Sequence, residues 1–246
     1  MCDWHHEGKA CRPAYRLPIE QARGRGREGN RARSSVPGDS CYHDRVDVLL
    51  IVDFQRDFCP GGALPVAGCD EVAERLNDLA VRFDFVVATR DWHPPDHGSF
   101  AGVVVDPSRW RGSDPPSIWP VHCVAGTPGA ELHPALDQSP IDVVIDKGQD
   151  RFSQGYSAFH ESGLDELLLE RGVDHIYIGG LTTDYCVKKS VLDARRLGFD
   201  VTVIEDAIRA VNVQPWDGAR ALEEMRAAGA SFTSAGELAR GRAAIV

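Results

Sequence analysis

This chain is short of lysine, of ordered cysteine spacing and of long apolar runs, and each shortage excludes something. Only four lysines occur (Lys9, Lys147, Lys188, Lys189) beside 23 arginines, so each lysine is worth a chemical question. No segment approaches the roughly 20 apolar residues of a transmembrane helix. The first residues, Met1-Cys2-Asp3-Trp4-His5-His6-Glu7, lack the apolar run of a signal peptide, so a cytoplasmic protein is expected. Seven cysteines is an odd number without framework spacing, which points to reduced thiols rather than a disulfide scaffold. A net charge of −10 argues against nucleic acid or a membrane surface as the partner.

The charge is unevenly spread. Residues 1–45 are net +3 and the remaining 201 are net −13. The first segment is poor in aliphatics, carries Arg23-Gly24-Arg25-Gly26-Arg27, and has neither helical nor strand periodicity. A disordered extension is expected over 1–45, with the folded domain at 46–246. An arginine-rich nucleic-acid contact is the sharper reading of Gln21–Arg33, and a solvated tail the plainer one. Cys2, His5, His6 and Cys11 match no standard zinc spacing.

From Val46 onward, short β-branched runs alternate with amphipathic stretches. Strands are expected at Val46–Val52, Phe85–Ala88, Ile141–Ile145, Val173–Ile178, Asp200–Ile204 and about Ala230–Thr233. Helices are expected at Asp70–Phe83, Leu164–Arg171, from Cys186 to Leu197, and at Trp216–Ala228. The alternation, without repeats or an interior linker, predicts one doubly wound α/β domain: a mainly parallel sheet flanked by helices in three layers.

Chemistry gathers where strands end. Val173–Ile178 leads into Gly179-Gly180-Leu181-Thr182-Thr183-Asp184-Tyr185-Cys186, a strand, a tight turn and a helix start. Cys186 is therefore expected in the helix's first turn, where unpaired N–H groups and the helix dipole lower a thiol's pKa and hold an oxyanion. The plainer reading is a small buried core cysteine. Asp53 follows the first strand and Lys147 the third; alone, these read as a turn residue and a surface lysine. In a parallel sheet all three face one crevice, and Asp with Lys supplies a base and a positive partner for a thiol.

Asp91, His93 and His97 fall within seven residues of a Pro/Gly-rich loop, and His122 lies in Trp119-Pro120-Val121-His122-Cys123. One carboxylate with imidazoles suits Zn²⁺, Fe²⁺ or Mn²⁺. The long irregular segment 90–140 is of the kind that usually carries function. His133, His160 and His175 belong to no pattern and read as structural or surface residues.

Taken together, Val52-Asp53-Phe54-Gln55-Arg56-Asp57-Phe58, Asp91-Trp92-His93-Pro94-Pro95-Asp96-His97, Trp119-Pro120-Val121-His122-Cys123, Lys147-Gly148 and Thr183-Asp184-Tyr185-Cys186-Val187 occur in an order and spacing that resembles the nicotinamidases (pyrazinamidases), a group of isochorismatase-like cysteine hydrolases. The resemblance runs from about Asp47 to the C-terminus and leaves out residues 1–45. It implies a metal-dependent amidohydrolase that converts nicotinamide to nicotinate and ammonia through a cysteine thioester, in NAD salvage, with pyrazinamide as a further substrate.

By the same resemblance, Cys186 is the nucleophile, Asp53 the general base and then acid, and Lys147 the group stabilising developing charge. Backbone N–H groups of Thr182 and Cys186 form the oxyanion hole beside a cis Leu181–Thr182 bond. Phe58 and Trp119 wall the substrate ring. Asp91, His93, His97 and His122 hold one divalent metal, Zn²⁺ first, with Fe²⁺ or Mn²⁺ as alternatives. Related enzymes often associate, so a homo-oligomer is open. Two other readings remain: a family amidase acting on another small amide, and a non-catalytic metal- or ligand-binding redox module. True isochorismatases lack the nucleophilic cysteine, and Cys186 argues against that chemistry.

Overall fold

A computed structural model describes residues 46–111 and 117–242. The expected extension at 1–45, with its candidate cysteine and histidine ligands, lies outside the described residues. Six strands form one wholly parallel sheet: β1 (Val46–Val52), β2 (Val86–Asp91), β3 (Val143–Lys147), β4 (Val173–Leu181), β5 (Asp200–Arg209) and β6 (Ser231–Thr233). Their order is β3-β2-β1-β4-β5-β6. The chain winds outward one way from β1 to β3, then returns to pair β4 with β1 and winds the other way. Open α/β sheets bind ligands at such a reversal, outside the carboxyl ends of the strands.

The helices are α1 (Cys69–Ala80), α2 (Leu164–Glu170), α3 (Lys188–Leu197), α4 (Asp217–Ala227) and α5 (Ala235–Gly241). Strand residues alternate between two cores, as the period of two requires. Leu49 and Ile51 pack toward α1, while Val48, Leu50 and Val52 join the opposite cluster with Val191 of α3 and Met225 of α4. These five β1 side chains, Val48 to Val52, are almost completely buried, which explains an unbroken apolar run in the central strand.

Several boundaries move. The third strand begins two residues later than its apolar run and continues through Asp146 and Lys147, paired residue for residue with Arg90 and Asp91 of β2. β5 runs on to Arg209 because its pairing with β4 shifts register after Ile178 and resumes at Gly180. Cys186 lies not in the first turn of α3 but in a π-helical turn, Thr183–Val187, ahead of it. Leu197 at the end of α3 is exposed, and the apolar residues that this helix buries are Val191 and Ala194, following Val187 of the turn. The sequence reading has nothing beyond Thr233, yet α5 follows. Ser234 and Glu237 cap it reciprocally, each accepting the other's backbone N–H. Among the described residues, no helix is long and apolar enough to cross a membrane.

Candidate active site

Asp53, Lys147 and Cys186 come together at the sheet reversal, as their strand ends predict. Asp53 follows β1 with φ of 46°, and its backbone N–H donates to the Thr89 carbonyl at 3.2 Å. The Thr89 hydroxyl donates to Asp53 Oδ1 at 2.7 Å, which leaves Oδ2 facing Lys147 Nζ at 2.8 Å. Lys147 Nζ also meets Asp91 Oδ1 at 2.6 Å, donates to the Gly155 carbonyl at 3.0 Å, and reaches Cys186 Sγ at 3.6 Å. All three side chains are buried.

The electrostatics correct one expectation. Burial pushes the Cys186 thiol well above its ordinary pKa, and the carboxylates of Asp53 and Asp91 add to the rise against the pull of Lys147. A helix start would have lowered it. Burial likewise raises Asp53 to about 6, with Lys147 opposing. Burial works against the Lys147 ammonium, but Asp53 and Asp91 hold its pKa well above normal. At neutral pH the group is therefore a protonated thiol and a carboxylate on either side of an ammonium.

The turn carrying Cys186 depends on Gly180. A Cβ there would lie 2.1 Å from the Val52 carbonyl oxygen, and its φ is 117°. The peptide Leu181–Thr182 is cis, as the resemblance implies. Thr182 and Cys186 line the same pocket.

Next to the thiol sits the candidate metal centre. Asp91, His93 and His122 bring ligand atoms within 4.8 Å of one another, all buried. His93 Nδ1 bonds the Gly148 carbonyl at 2.7 Å and His122 Nδ1 the Pro120 carbonyl at 2.8 Å, fixing both tautomers and freeing Nε2. Gly148 admits this approach: a Cβ there would meet His93 Cε1 at 2.6 Å. His97 stacks on His93 with ring centroids 4.1 Å apart, and its Nδ1 bonds Ser99 Oγ at 2.7 Å. Its Nε2 is buried with no hydrogen-bond partner among the described residues. A buried, orphaned imidazole nitrogen beside two oriented imidazoles and a carboxylate fits a divalent metal. Burial lowers His97 to about 3 and His122 to about 4, so both rings are neutral and able to ligate near pH 7.

The pocket over these groups is lined by Phe58 and Trp119, and also by Leu64, Tyr156, Tyr185 and Val211. Trp119 Nε1 donates to the Tyr156 hydroxyl at 2.9 Å, and Trp119 meets Tyr185 edge-on. Tyr185 was in sight as a neighbour of Cys186, whereas Tyr156 and Val211 sit in segments with no local signal. Gln55 was also missed. Its side chain accepts from the Asp91 N–H at 2.8 Å and donates to the carbonyls of Asp91 and Ala130, so it clamps the backbone of a candidate ligand. His133 and His175 are structural as expected, one edge-on to Phe54 and the other bonded to Thr202.

Residues 47–237 match the model of the isochorismatase domain. The chain belongs to the isochorismatase family. Among its isochorismatase-family relatives is the nicotinamidase of Escherichia coli K12, 47% identical over 198 residues, or 75% of this chain and 92% of that one. The fold is similar to that of PnC1 from L. infantum in complex with nicotinate, with a TM-score of 0.69 and 34% identity over 78% of this chain and 93% of the other. It is also similar to a pyrazinamidase of Pyrococcus horikoshii in complex with zinc, with a TM-score of 0.67 and 38% identity over 77% and 99%.

Proposed function

We infer that this isochorismatase-family chain is a nicotinamidase, hydrolysing nicotinamide to nicotinate and ammonia for NAD salvage and accepting pyrazinamide as a second substrate. The observation that carries the reading is that Cys186, bonded into the buried Asp53–Lys147–Cys186 group, lines the same small aromatic pocket as Asp91 and His122 of the Asp91/His93/His122 cluster. A bare thiol site would serve many amides. A ligand cluster beside it suits an amide whose ring carries a nitrogen.

In this reading Asp53 takes the Cys186 proton as Sγ attacks the carboxamide carbon, so a free thiolate never has to persist in the buried crevice. Lys147 balances the negative charge that moves between sulfur and oxygen, and the backbone N–H groups of Thr182 and Cys186 receive the oxyanion. Asp53 returns the proton to the leaving nitrogen, ammonia departs, and a thioester remains on Cys186. Asp53 then deprotonates the water that attacks the thioester, giving nicotinate and the free thiol. Asp91, His93, His97 and His122 would hold a divalent metal, Zn²⁺ by preference; when bound it supplies a Lewis acid for the pyridine nitrogen. Phe58 and Trp119 hold the ring flat.

The test is ammonia release from nicotinamide by purified protein, with metal content measured on the same sample. Turnover is expected in the wild type and absent in Cys186→Ala. A wild type that releases no ammonia, or a Cys186→Ala variant as active as wild type, sinks the reading.

A further inference from the structure

Asp184 takes no part in the chemistry above, although it lies two residues before Cys186. It belongs to the π-helical turn Thr183–Val187 and is 5% exposed. A carboxylate so buried is costly unless its oxygens are bonded. Both are, and to the same remote turn: Oδ1 accepts the N–H of Val211 at 3.0 Å and Oδ2 the N–H of Asn212 at 2.8 Å. Hydrogen bonds to an ionised acceptor are about twice as strong as neutral ones. The turn after β5 is held from its other side too, since Asn212 Oδ1 accepts the Gly218 N–H of α4 at 2.9 Å. Asn212 itself sits at φ of 54°. What this pinned turn presents to the substrate pocket is Val211, which lines it together with Cys186.

We propose that Asp184 is a positioning residue that sets substrate specificity, fixing Val211 as a pocket wall at a set distance from the Cys186 thiol. The same short turn then carries the nucleophile and, through its carboxylate, the wall that limits ring width. A ring substituent on the Val211 side is then what the wall disfavours. The inference rests on the nicotinamidase reading.

The experiment compares wild type, Asp184→Asn, Val211→Ala and the double variant on nicotinamide and on 5-methylnicotinamide, with metal content and amide hydrogen exchange at Val211 and Asn212. Asparagine keeps the shape but turns an N–H₂ toward one backbone N–H, so one bond is lost and two donors face each other. Asp184→Asn is expected to raise KM for nicotinamide about tenfold through the displaced Val211 wall, with kcat within about threefold. Metal content should stay at the wild-type level, exchange at 211 and 212 should quicken, and the methylated substrate should gain relative to nicotinamide.

The double variant should match the worse single rather than multiply the two effects, because both act through one wall. Independent effects that multiply overturn the proposal, as does an unchanged KM or a kcat loss that tracks metal loss. Should Asp184→Asn fail to fold, Val211→Ala decides: a gain for the methylated ring supports the proposal, and unchanged selectivity overturns it. A wild type without ammonia release overturns the nicotinamidase reading instead. Exchange at 211 and 212 still tests the clamp in that case, and exchange unaltered by Asp184→Asn overturns it.

Discussion

At neutral pH the Cys186 thiol keeps its proton, because burial and the carboxylates of Asp53 and Asp91 oppose another negative charge in the crevice. Reactivity then depends on Asp53 being ionised when substrate arrives. Burial raises Asp53 to about 6, so its carboxylate form is lost as pH falls through that value. We expect kcat/KM for nicotinamide to fall on the acid side with an apparent pKa near 6, read from a pH–rate profile of the metal-loaded enzyme. Asp53→Asn should lower kcat/KM by about 10²-fold or more and abolish that acid limb, since asparagine has no proton to exchange. An acid limb that survives in Asp53→Asn would assign it to another group. Stability moves the other way. A buried carboxyl with a raised pKa binds its proton more tightly in the folded chain, so its contribution declines as pH rises from about 4 to 6.

The elements that carry these side chains are defined by close backbone approach as much as by propensity. The last residues of β4 lie so near β1 that Gly180, paired with Val52, has no room for a Cβ beside the Val52 carbonyl. Gly180→Ala should therefore cost about 1–3 kcal/mol, lower the melting temperature by several degrees, and depress turnover through the displaced Cys186 turn. Calorimetry and an ammonia assay on the same preparation check both effects. The cap of α5 provides a contrast. Ser234→Ala removes the side chain that accepts from Glu237, and neither residue lines the pocket with the thiol. About 1 kcal/mol of stability should go, or about 2–4 °C in melting temperature, with kcat and KM at wild-type values. Loss of activity there would tie α5 to the site.

For the whole molecule, the decisive feature is that strand order reverses beside β1. That places the ends of β1 and β4 across one crevice, with Asp91 and Lys147 delivered side by side from the in-register ends of β2 and β3. A metal held by residues that only the fold brings together would favour the folded chain and stabilise it by mass action. Stripping with a chelator should lower the melting temperature and abolish ammonia release, and Zn²⁺ should restore both. At a free ion concentration about 100 times Kd the stabilisation is about 2.7 kcal/mol. His97→Ala, which removes the orphaned ring nitrogen, should weaken metal retention and shrink that shift. Melting curves unmoved by chelation would rule out the cluster as a resident metal centre.

Periodicity and turn chemistry by themselves determined the sheet, the order of its elements and the edge at which Asp53, Lys147 and Cys186 stand. A parallel strand buried on both faces is apolar throughout, and its polar successor is conspicuous. Local density made Asp91, His93 and His97 legible as candidate ligands, and the resemblance added His122 from a separate segment. Tertiary structure alone decided three things. The protonation of Cys186 depends on burial and on carboxylates that are remote in sequence. Tyr156 and Val211 reach the pocket only through packing. Asp184 and Gln55 act by bonding backbone groups many residues away, and no local pattern encodes such a contact. Short-range periodicity records which face of an element is buried; it does not record what that face will meet.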